Sequence, residues 1–332
     1  MAIKLKMVQV YRNLVLIRRA YSILARLRTG GYVSGESLAS ELGVSRAYIH
    51  KVIDNLRSWG IPVEAEPGLG YRVPMLDDLL RVQDLLTLNR VEASTAYFER
   101  CDKSSQDIAR ELAHSGAASW TTVVCGEMGS GRGRLGRKWF APQGGLWFTV
   151  ILKPEFSGNL HILSLAAGVS VAEAVTALLG LEAKVKWPND VLVDDRKVCG
   201  ILVEGEAEAD KVRFLLVGIG INANNEIPEE LGSTATSLHR LAGRLVPRAT
   251  LLAVVLARLR TYYNYLSAGE TKEVITQWLK LSATIGRTVR VVTVEGREIV
   301  GEAVSVDKLG RLVVKSGGIK HHIEAGDVYH VR

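Results

Sequence analysis

The sequence predicts an α+β chain built in three parts, and three observations predict it. Residues 1–73 carry 11 Lys and Arg against 5 Asp and Glu, a balance of +6 within a total of +7, and their apolar residues recur at helical spacing. The middle of the chain alternates β-rich runs with long apolar helical stretches, the pattern of a mixed α/β layer. Residues 285–332 are short β-rich runs punctuated by glycine turns, which reads as a small all-β barrel. We therefore expect a DNA-binding unit at 1–74, a connecting helix at 75–90, a central α/β domain at 91–282 and a small β domain at 283–332. A length of 332 residues, 47% apolar and 23% charged, suits two or three globular domains.

In the N-terminal part, residues 10–28 read as a helix, with Leu14, Ile17, Tyr21, Leu24 and Leu27 on one face and Thr29-Gly30-Gly31 as its stop. Ser37–Leu42 forms a short helix, and Gly43-Val44-Ser45 a tight turn. Arg46–Trp59 then forms a second helix with Ile49, Val52, Ile53 and Leu56 facing inward. That burial leaves Ser45, Arg46, Tyr48, Lys51 and Asn55 outward, the groove and phosphate contacts expected of a recognition helix. Ile61–Val73 alternates around Pro67-Gly68-Leu69-Gly70, a wing. The basic balance points to a polyanion partner for this part alone. Glu64 and Glu66 argue against strong contact between wing and phosphate.

The central part is organised around Gly126–Phe140, GEMGSGRGRLGRKWF, with five glycines, four cations (Arg132, Arg134, Arg137, Lys138) and no carboxylate after Glu127. Glycines let successive backbone N–H groups converge on an anion, and guanidinium forks add charge-assisted hydrogen bonds. The match to G-x-G-x-x-G is rejected as a dinucleotide site, because Lys138-Trp139-Phe140-Ala141-Pro142 cannot open the helix that motif requires. Ser104 and Asp107 form a capping-box pattern before a helix; the exposed hydroxyls and N–H groups there could equally grip a ligand. Strands are expected at 121–125 and 146–152, and a small-residue helix at 162–179. Val185–Glu204 reads as a hairpin turning at Asp194-Asp195, entered by Lys186-Trp187-Pro188-Asn189-Asp190 and returning through Lys197 and Gly200. Phe214–Ile221 is a third strand, ending in Gly218-Ile219-Gly220-Ile221-Asn222. Helices follow at 249–267 and 271–281. In the tail, strands are expected at 288–294, 298–306, 311–315 and 319–324.

Three dispersed cysteines, Cys101, Cys125 and Cys199, are not a disulfide framework and suggest a reducing, cytoplasmic setting. The N-terminal stretch is broken by cations throughout, so neither a signal peptide nor a membrane anchor is expected.

Taken in order, GRGRLGRKW (131–139), KWPND (186–190), RKVCGILVE (196–204) and GIGIN (218–222) resemble the biotin–protein ligase family. SRAYIHKVIDNLRSWG (45–60) and GLGYRV (68–73) are similar to the winged helix-turn-helix of its bifunctional ligase/repressor members. The resemblance implies a catalytic domain like that of class II aminoacyl-tRNA synthetases and an SH3-like C-terminal barrel. It also implies a two-step reaction, in which biotin and ATP give biotinyl-5′-AMP and a lysine of a biotin carboxyl carrier protein then takes the acyl group. Lys197, Arg132 and Arg134 would be catalytic. Ser104, Ser105, Gln106, Met128, Gly131, Arg132, Arg134, Lys197, Gly200 and Gly218 would bind biotin. Arg132, Trp139, Lys186, Asn189, Asp190, Lys197 and Asn222 would bind nucleotide, with Asp190 also holding Mg²⁺. Operator DNA and a second copy of the chain are the implied partners. Two positions depart from the family pattern: Gln106 stands where the family has Asn, and Met128 where it has Gln. They motivate one alternative, a ligase for a related acid such as lipoate; a biotin-responsive repressor whose catalytic half only binds is a second, separate alternative.

Overall fold

The computed structural model describes residues 20, 22–24, 26–27, 31–58, 63–73, 79, 93–154, 160–208 and 211–331. Most of the helix expected at 10–28 and nearly all of the connecting helix at 75–90 lie outside these residues. The chain separates into two compact units: Met1–Val91 with Ala249–Ala257, and Glu92–Arg248 with Arg258–Arg332.

In the first unit, α1 (Gly35–Leu42) and α2 (Arg46–Ser58) form the helix-turn-helix. Ser34 caps α1, and Gly43 closes it in the left-handed region at φ 61°. Ser45 Oγ accepts the Tyr48 N–H, capping α2 as its position predicts. Ile49, Val52, Ile53 and Leu56 are all buried. The wing is β1 (Glu64–Glu66) paired with β2 (Gly70–Arg72). Val33 and Tyr71 exchange two backbone hydrogen bonds alongside it. Gly70 is required there, because an added Cβ would lie 2.2 Å from Val33 O. Tyr71 also meets His50 Nδ1 at 2.8 Å, tying the wing to the recognition helix.

The second unit is built on a seven-stranded mixed sheet in the order β3-β4-β7-β11-β10-β9-β8. Its strands are β3 (Ser94–Cys101), β4 (Thr121–Met128), β7 (Leu146–Leu152), β8 (Ala183–Lys186), β9 (Asp190–Val193), β10 (Arg196–Glu208) and β11 (Lys211–Ile221). Only β3 and β4 are parallel. β3 was not expected, because its burial pattern gives no clean alternation. Between β4 and β7 the glycine-arginine stretch makes a two-stranded ribbon, β5 (Gly131–Arg132) with β6 (Lys138–Trp139). α3 (Ser105–His114) packs on β4, β7 and β11, and α4 (Leu160–Leu179) on β8, β10 and α7 (Thr271–Leu281). α4 is largely apolar and long enough to cross a membrane, but 78% of its most apolar window is buried inside the protein, and Glu173 on it pairs with Arg258. That is the environment such a helix needs in a protein core. α5 (Leu238–Ala242) also belongs to this unit, and α6 (Arg248–Ser267) contributes Arg258–Ser267 to it.

Two sequence expectations need correction. The odd cysteine count argued against a disulfide, yet Cys101 and Cys125 are bonded, with Cα atoms 5.9 Å apart, and Cys199 is free and buried. The pair became possible because β3 and β4 are neighbours, which the sequence did not reveal. The second correction concerns the C-terminal part, which is not an SH3-like barrel. It is an open sheet in the order β15-β14-β13-β12-β16, made of β12 (Thr288–Thr293), β13 (Glu298–Val306), β14 (Leu312–Ser316), β15 (Ile319–Ile323) and β16 (Gly326–His330). A barrel closes only if its edge strands pair. Here β16 gives its hydrogen bonds to β12, from Val289↔His330 to Thr293↔Gly326, and no ladder joins it to β15. β16 was also missed as a strand.

Candidate functional site

The hairpin β9–β10 turns through Asp194 and Asp195, both at positive φ (51° and 57°). This is the two-residue geometry that matches strand twist. It fixes the side chains that follow. Lys197 Nζ lies 2.6 Å from Asp190 Oδ1 on the partner strand and 5.2 Å from the centre of the Trp139 ring. Trp139 in turn lies over two glycines: a Cβ on Gly200 would come within 2.9 Å of its ring and one on Gly220 within 2.8 Å. The paired strands β10 and β11 thus present a side-chain-free floor, the use of glycine that the GIGIN stretch suggested.

Around this floor runs a cavity of about 690 Å³. Its lining includes Ser104, Ser105, Gln106, Met128, Arg132, Arg134, Trp139, Lys186, Asn189, Asp190, Lys197, Gly200, Gly218 and Asn222. The sequence-derived residues are therefore brought together, with one exception. Gly131 does not line the cavity; it faces the Trp139 carbonyl within the β5–β6 ribbon, where a Cβ would lie 2.3 Å from that oxygen. Seven Lys and Arg side chains line the cavity against three Asp, so its field favours a polyanion. Burial holds the Arg134 guanidinium and the Lys186 ammonium below their ordinary values. Arg132 Nε and Trp139 Nε1 are buried donors without a protein partner, and such donors in a cavity wall are natural ligand contacts.

At the other end Ser104 caps α3, accepting the Gln106 N–H at 3.3 Å. Asp107 does not complete a capping box. It pairs instead with Arg132, Oδ1 to NH2 at 2.8 Å. Gln106 is buried, its extra methylene carrying the amide down into the sheet. There Nε2 donates to Leu202 O at 3.1 Å, and Oε1 accepts from Thr149 Oγ1 at 3.1 Å. Gly218 leaves room for it, since a Cβ there would lie 2.6 Å from Gln106 Oε1. Met128 Sδ accepts the Ser105 N–H at 3.2 Å. The two departures from the family pattern thus satisfy backbone groups around the helix start and the sheet.

The loop cations divide by role. Arg132 is held by Asp107 and by Glu204 (3.2 Å), and Glu204 also pairs with Arg110 (2.8 Å). Arg134 donates to Asn189 Oδ1 at 3.2 Å, and Arg137 pairs with Asp327. Asp107, Glu204, Arg137 and Asp327 were not among the expected site residues. Arg137 had a signal as a cation of the glycine-arginine stretch, Asp107 as part of the helix-start pattern and Glu204 as the last residue of RKVCGILVE; Asp327 had none. The C-terminal sheet supplied no expected site residue, yet Arg287, Asp327, Val328, Tyr329 and His330 line the cavity. Trp187 anchors that sheet, donating Nε1–H to Gly310 O at 3.0 Å. The expected Mg²⁺ ligand, Asp190, is occupied by Lys197. Among the described residues no group of three His, Cys, Asp or Glu side chains forms an ion site of its own; Mg²⁺ carried with ATP would need only one or two carboxylates beside the phosphates.

In the first unit Ser45, Arg46 and Lys51 are exposed, and Tyr48 and Asn55 half-buried, along one helix. Glu64 is neutralised by Arg72 at 2.7 Å, which removes one of the two charges that would repel phosphate from the wing.

Comparison with known proteins covers most of the chain. Residues 97–222 match the biotin/lipoate A/B protein ligase family, residues 19–72 an HTH domain, and residues 284–331 the biotin protein ligase C-terminal domain. The chain is 34% identical over 298 residues to the bifunctional ligase/repressor BirA of Bacillus subtilis (strain 168), covering 87% of this chain and 91% of that protein. It is 32% identical over 301 residues to BirA of Escherichia coli (strain K12), covering 90% and 92%. Among solved structures it resembles the biotin protein ligase from Aquifex aeolicus in complex with biotin and ATP. That match has 30% identity and a TM-score of 0.64, over 72% of this chain and 99% of that one.

Proposed function

The chain belongs to the bifunctional biotin ligase/repressor family, and from that premise we propose how its residues carry the reaction. It is an ATP-dependent biotin–[acetyl-CoA-carboxylase] ligase with a unit for biotin-responsive repression. In the first step a biotin carboxylate oxygen bonds to the α-phosphorus of ATP, and the bond to the bridging oxygen breaks, releasing pyrophosphate. In the second a carrier lysine amine bonds to the acyl carbon, AMP leaves, and the amine gives up a proton to solvent.

Two anions must meet in the first step, so fixed cations and N–H donors do most of the work. The observation that carries this reading is that Arg132, Arg134 and Lys197 line one cavity above a glycine floor. Lys197 would leave Asp190 to bridge the biotin carboxylate and the α-phosphate oxygens. Arg134 would stabilise the charge that grows on the phosphorus oxygens. The unpaired Arg132 Nε and Trp139 Nε1 are donors for the acyl-adenylate. Ser104 and Ser105 carry hydroxyls toward the biotin ring. Lys186, Asn189 and Asn222 lie on the nucleotide side. Burial by the loop keeps the adenylate from hydrolysis.

Pyrophosphate exchange into ATP tests the assignment, run separately with biotin and with lipoate. Exchange with biotin is expected. Exchange with lipoate alone would move the enzyme to the related acid, and exchange with neither would leave a sensor. For the first unit we propose operator DNA as partner, read by a homodimer in the cytoplasm. A gel shift should give a salt-dependent complex, weakened by Arg46→Ala and Lys51→Ala with a salt slope smaller by about one for each charge lost. No complex at low salt, with or without biotin and ATP, would refute it.

A further inference from the structure

At the start of α3 a chain of hydrogen bonds has its direction fixed from its buried end. Gln106 Nε2 faces two backbone carbonyls, Leu202 O at 3.1 Å and Leu216 O at 3.5 Å. Turned the other way, the amide would set its own oxygen against both, so Nε2 is the donor and Oε1 points to Thr149. Oε1 can only accept, and Thr149 Oγ1 donates to it at 3.1 Å. A hydroxyl has a single proton. Thr149 has spent its own, so the 2.9 Å contact between Ser105 Oγ and Thr149 Oγ1 takes its proton from Ser105. Ser105, Gln106 and Thr149 are all buried, and all line the cavity. Ser105 Oγ therefore offers a ligand lone pairs and no proton. Its neighbour is set the opposite way: Ser104 Oγ accepts the Gln106 N–H, which leaves its own proton to give.

We propose that Thr149, oriented by Gln106, is a positioning residue that sets substrate specificity by making Ser105 an acceptor for a ring N–H of the acid. The proposal rests on the ligase reading above. A donor beside an acceptor complements a cyclic urea, whose carbonyl lies next to N–H groups. Biotin carries that ring. Lipoate carries a dithiolane, with sulfur lone pairs and no N–H, and would leave the buried Ser105 lone pairs unmet. A site built to pair with an N–H rejects an analogue that lacks it. Gln106, one of the two departures that raised lipoate as a substrate, thus favours the urea instead. Thr149 touches no reacting atom; it acts through Ser105.

The test measures biotin binding to the full chain by calorimetry, without ATP. It compares wild type, Thr149→Val, Thr149→Ser, Ser105→Ala and the double variant Ser105→Ala with Thr149→Val. Valine keeps the branched shape and removes the proton acceptor, freeing Ser105 to turn its own proton toward the ligand. We expect the Kd for biotin to rise about tenfold in Thr149→Val, the range for one net hydrogen bond. We also expect wild-type affinity to return in Thr149→Ser, and KM for ATP in pyrophosphate exchange to stay unchanged. A purely structural defect would weaken binding whatever stands at position 105, whereas the relay requires that Thr149→Val adds nothing once Ser105 is replaced by alanine. Wild-type affinity in Thr149→Val overturns the proposal, and so does an undiminished effect in the Ser105→Ala background. If Thr149→Val fails to fold, Thr149→Cys decides, its S–H being a weak donor and its sulfur a weak acceptor: biotin bound as tightly as by wild type overturns the relay. A wild type that binds no biotin removes the ligase reading and the relay together, whereas biotin bound equally by wild type and Thr149→Val removes the relay alone.

Discussion

The cavity is furnished by two cationic elements that are held in opposite ways. Lys197 sits on β10, locked by backbone ladders to β9 and β11 inside a seven-stranded sheet. Arg132 sits on a ribbon of two register pairs, Gly131↔Trp139 and Arg132↔Lys138, and Arg134 in the turn at its tip; side-chain ion pairs secure the element, Arg132 to Asp107 and Glu204 and Arg137 to Asp327. Backbone ladders in a buried sheet open only with the fold, whereas ion pairs at the surface exchange with water and salt. The hairpin therefore gives position and the ribbon gives closure. A reaction that must admit two substrates, exclude water and then admit a protein lysine needs one of each.

The largest effect that would break this division is on the rigid side. Lys197→Ala should lower pyrophosphate exchange by roughly 10²–10³-fold, the range for removing a preorganised charge from such a site. Its melting curve should stay near wild type, because the ladders remain. Full activity would remove the lysine from the chemistry. A smaller effect sharpens the comparison from beneath the site. Gly218→Ala puts a Cβ 2.6 Å from Gln106 Oε1, and Gln106 is pinned by Leu202 and Thr149, so the side chain cannot simply step aside. A loss of about 1–3 kcal/mol is expected, read as a lower melting temperature. An unchanged melting temperature would show that the buried amide is free to move.

The smallest effect tests the C-terminal wall. His330 is half-buried among Lys186 and Arg287, and burial first, then those charges, lower its value to about 4 from an ordinary 6.5. The unfolded chain takes up the proton as pH falls through 6.5, and the folded chain does so only near 4. Stability is therefore complete above pH 6.5 and is lost between 6.5 and 4. Discounted for its partial exposure, the loss is roughly 1 kcal/mol. His330→Gln should flatten that part of the stability–pH curve; an unchanged slope would assign the pH dependence to other groups.

Legibility in the sequence followed the range of the interaction. The tight turn at Gly43 and the buried face of α2 depend on residues within one or two turns of each other, and both were read correctly. The Asp194-Asp195 turn and the placement of Lys197 behind it were legible for the same reason. Gln106 was read as a longer version of a ligand contact, but its amide is committed to Leu202 and Thr149. Asp107 was read as half of a capping box, yet it holds Arg132. In each case the deciding partner lies far along the chain, and no periodicity or spacing records it.

The sequence by itself determined the kind of chemistry, since cations among glycines can serve few purposes other than binding an anion, and it determined the Asp194-Asp195 turn that precedes Lys197. Only the tertiary structure decided which cations face the cavity and which hold the loop, that Cys101 meets Cys125, and that the last strand forms a wall of the site in an open sheet. Those outcomes depend on strand order, and strand order is set by which apolar faces pack together once the whole chain has condensed.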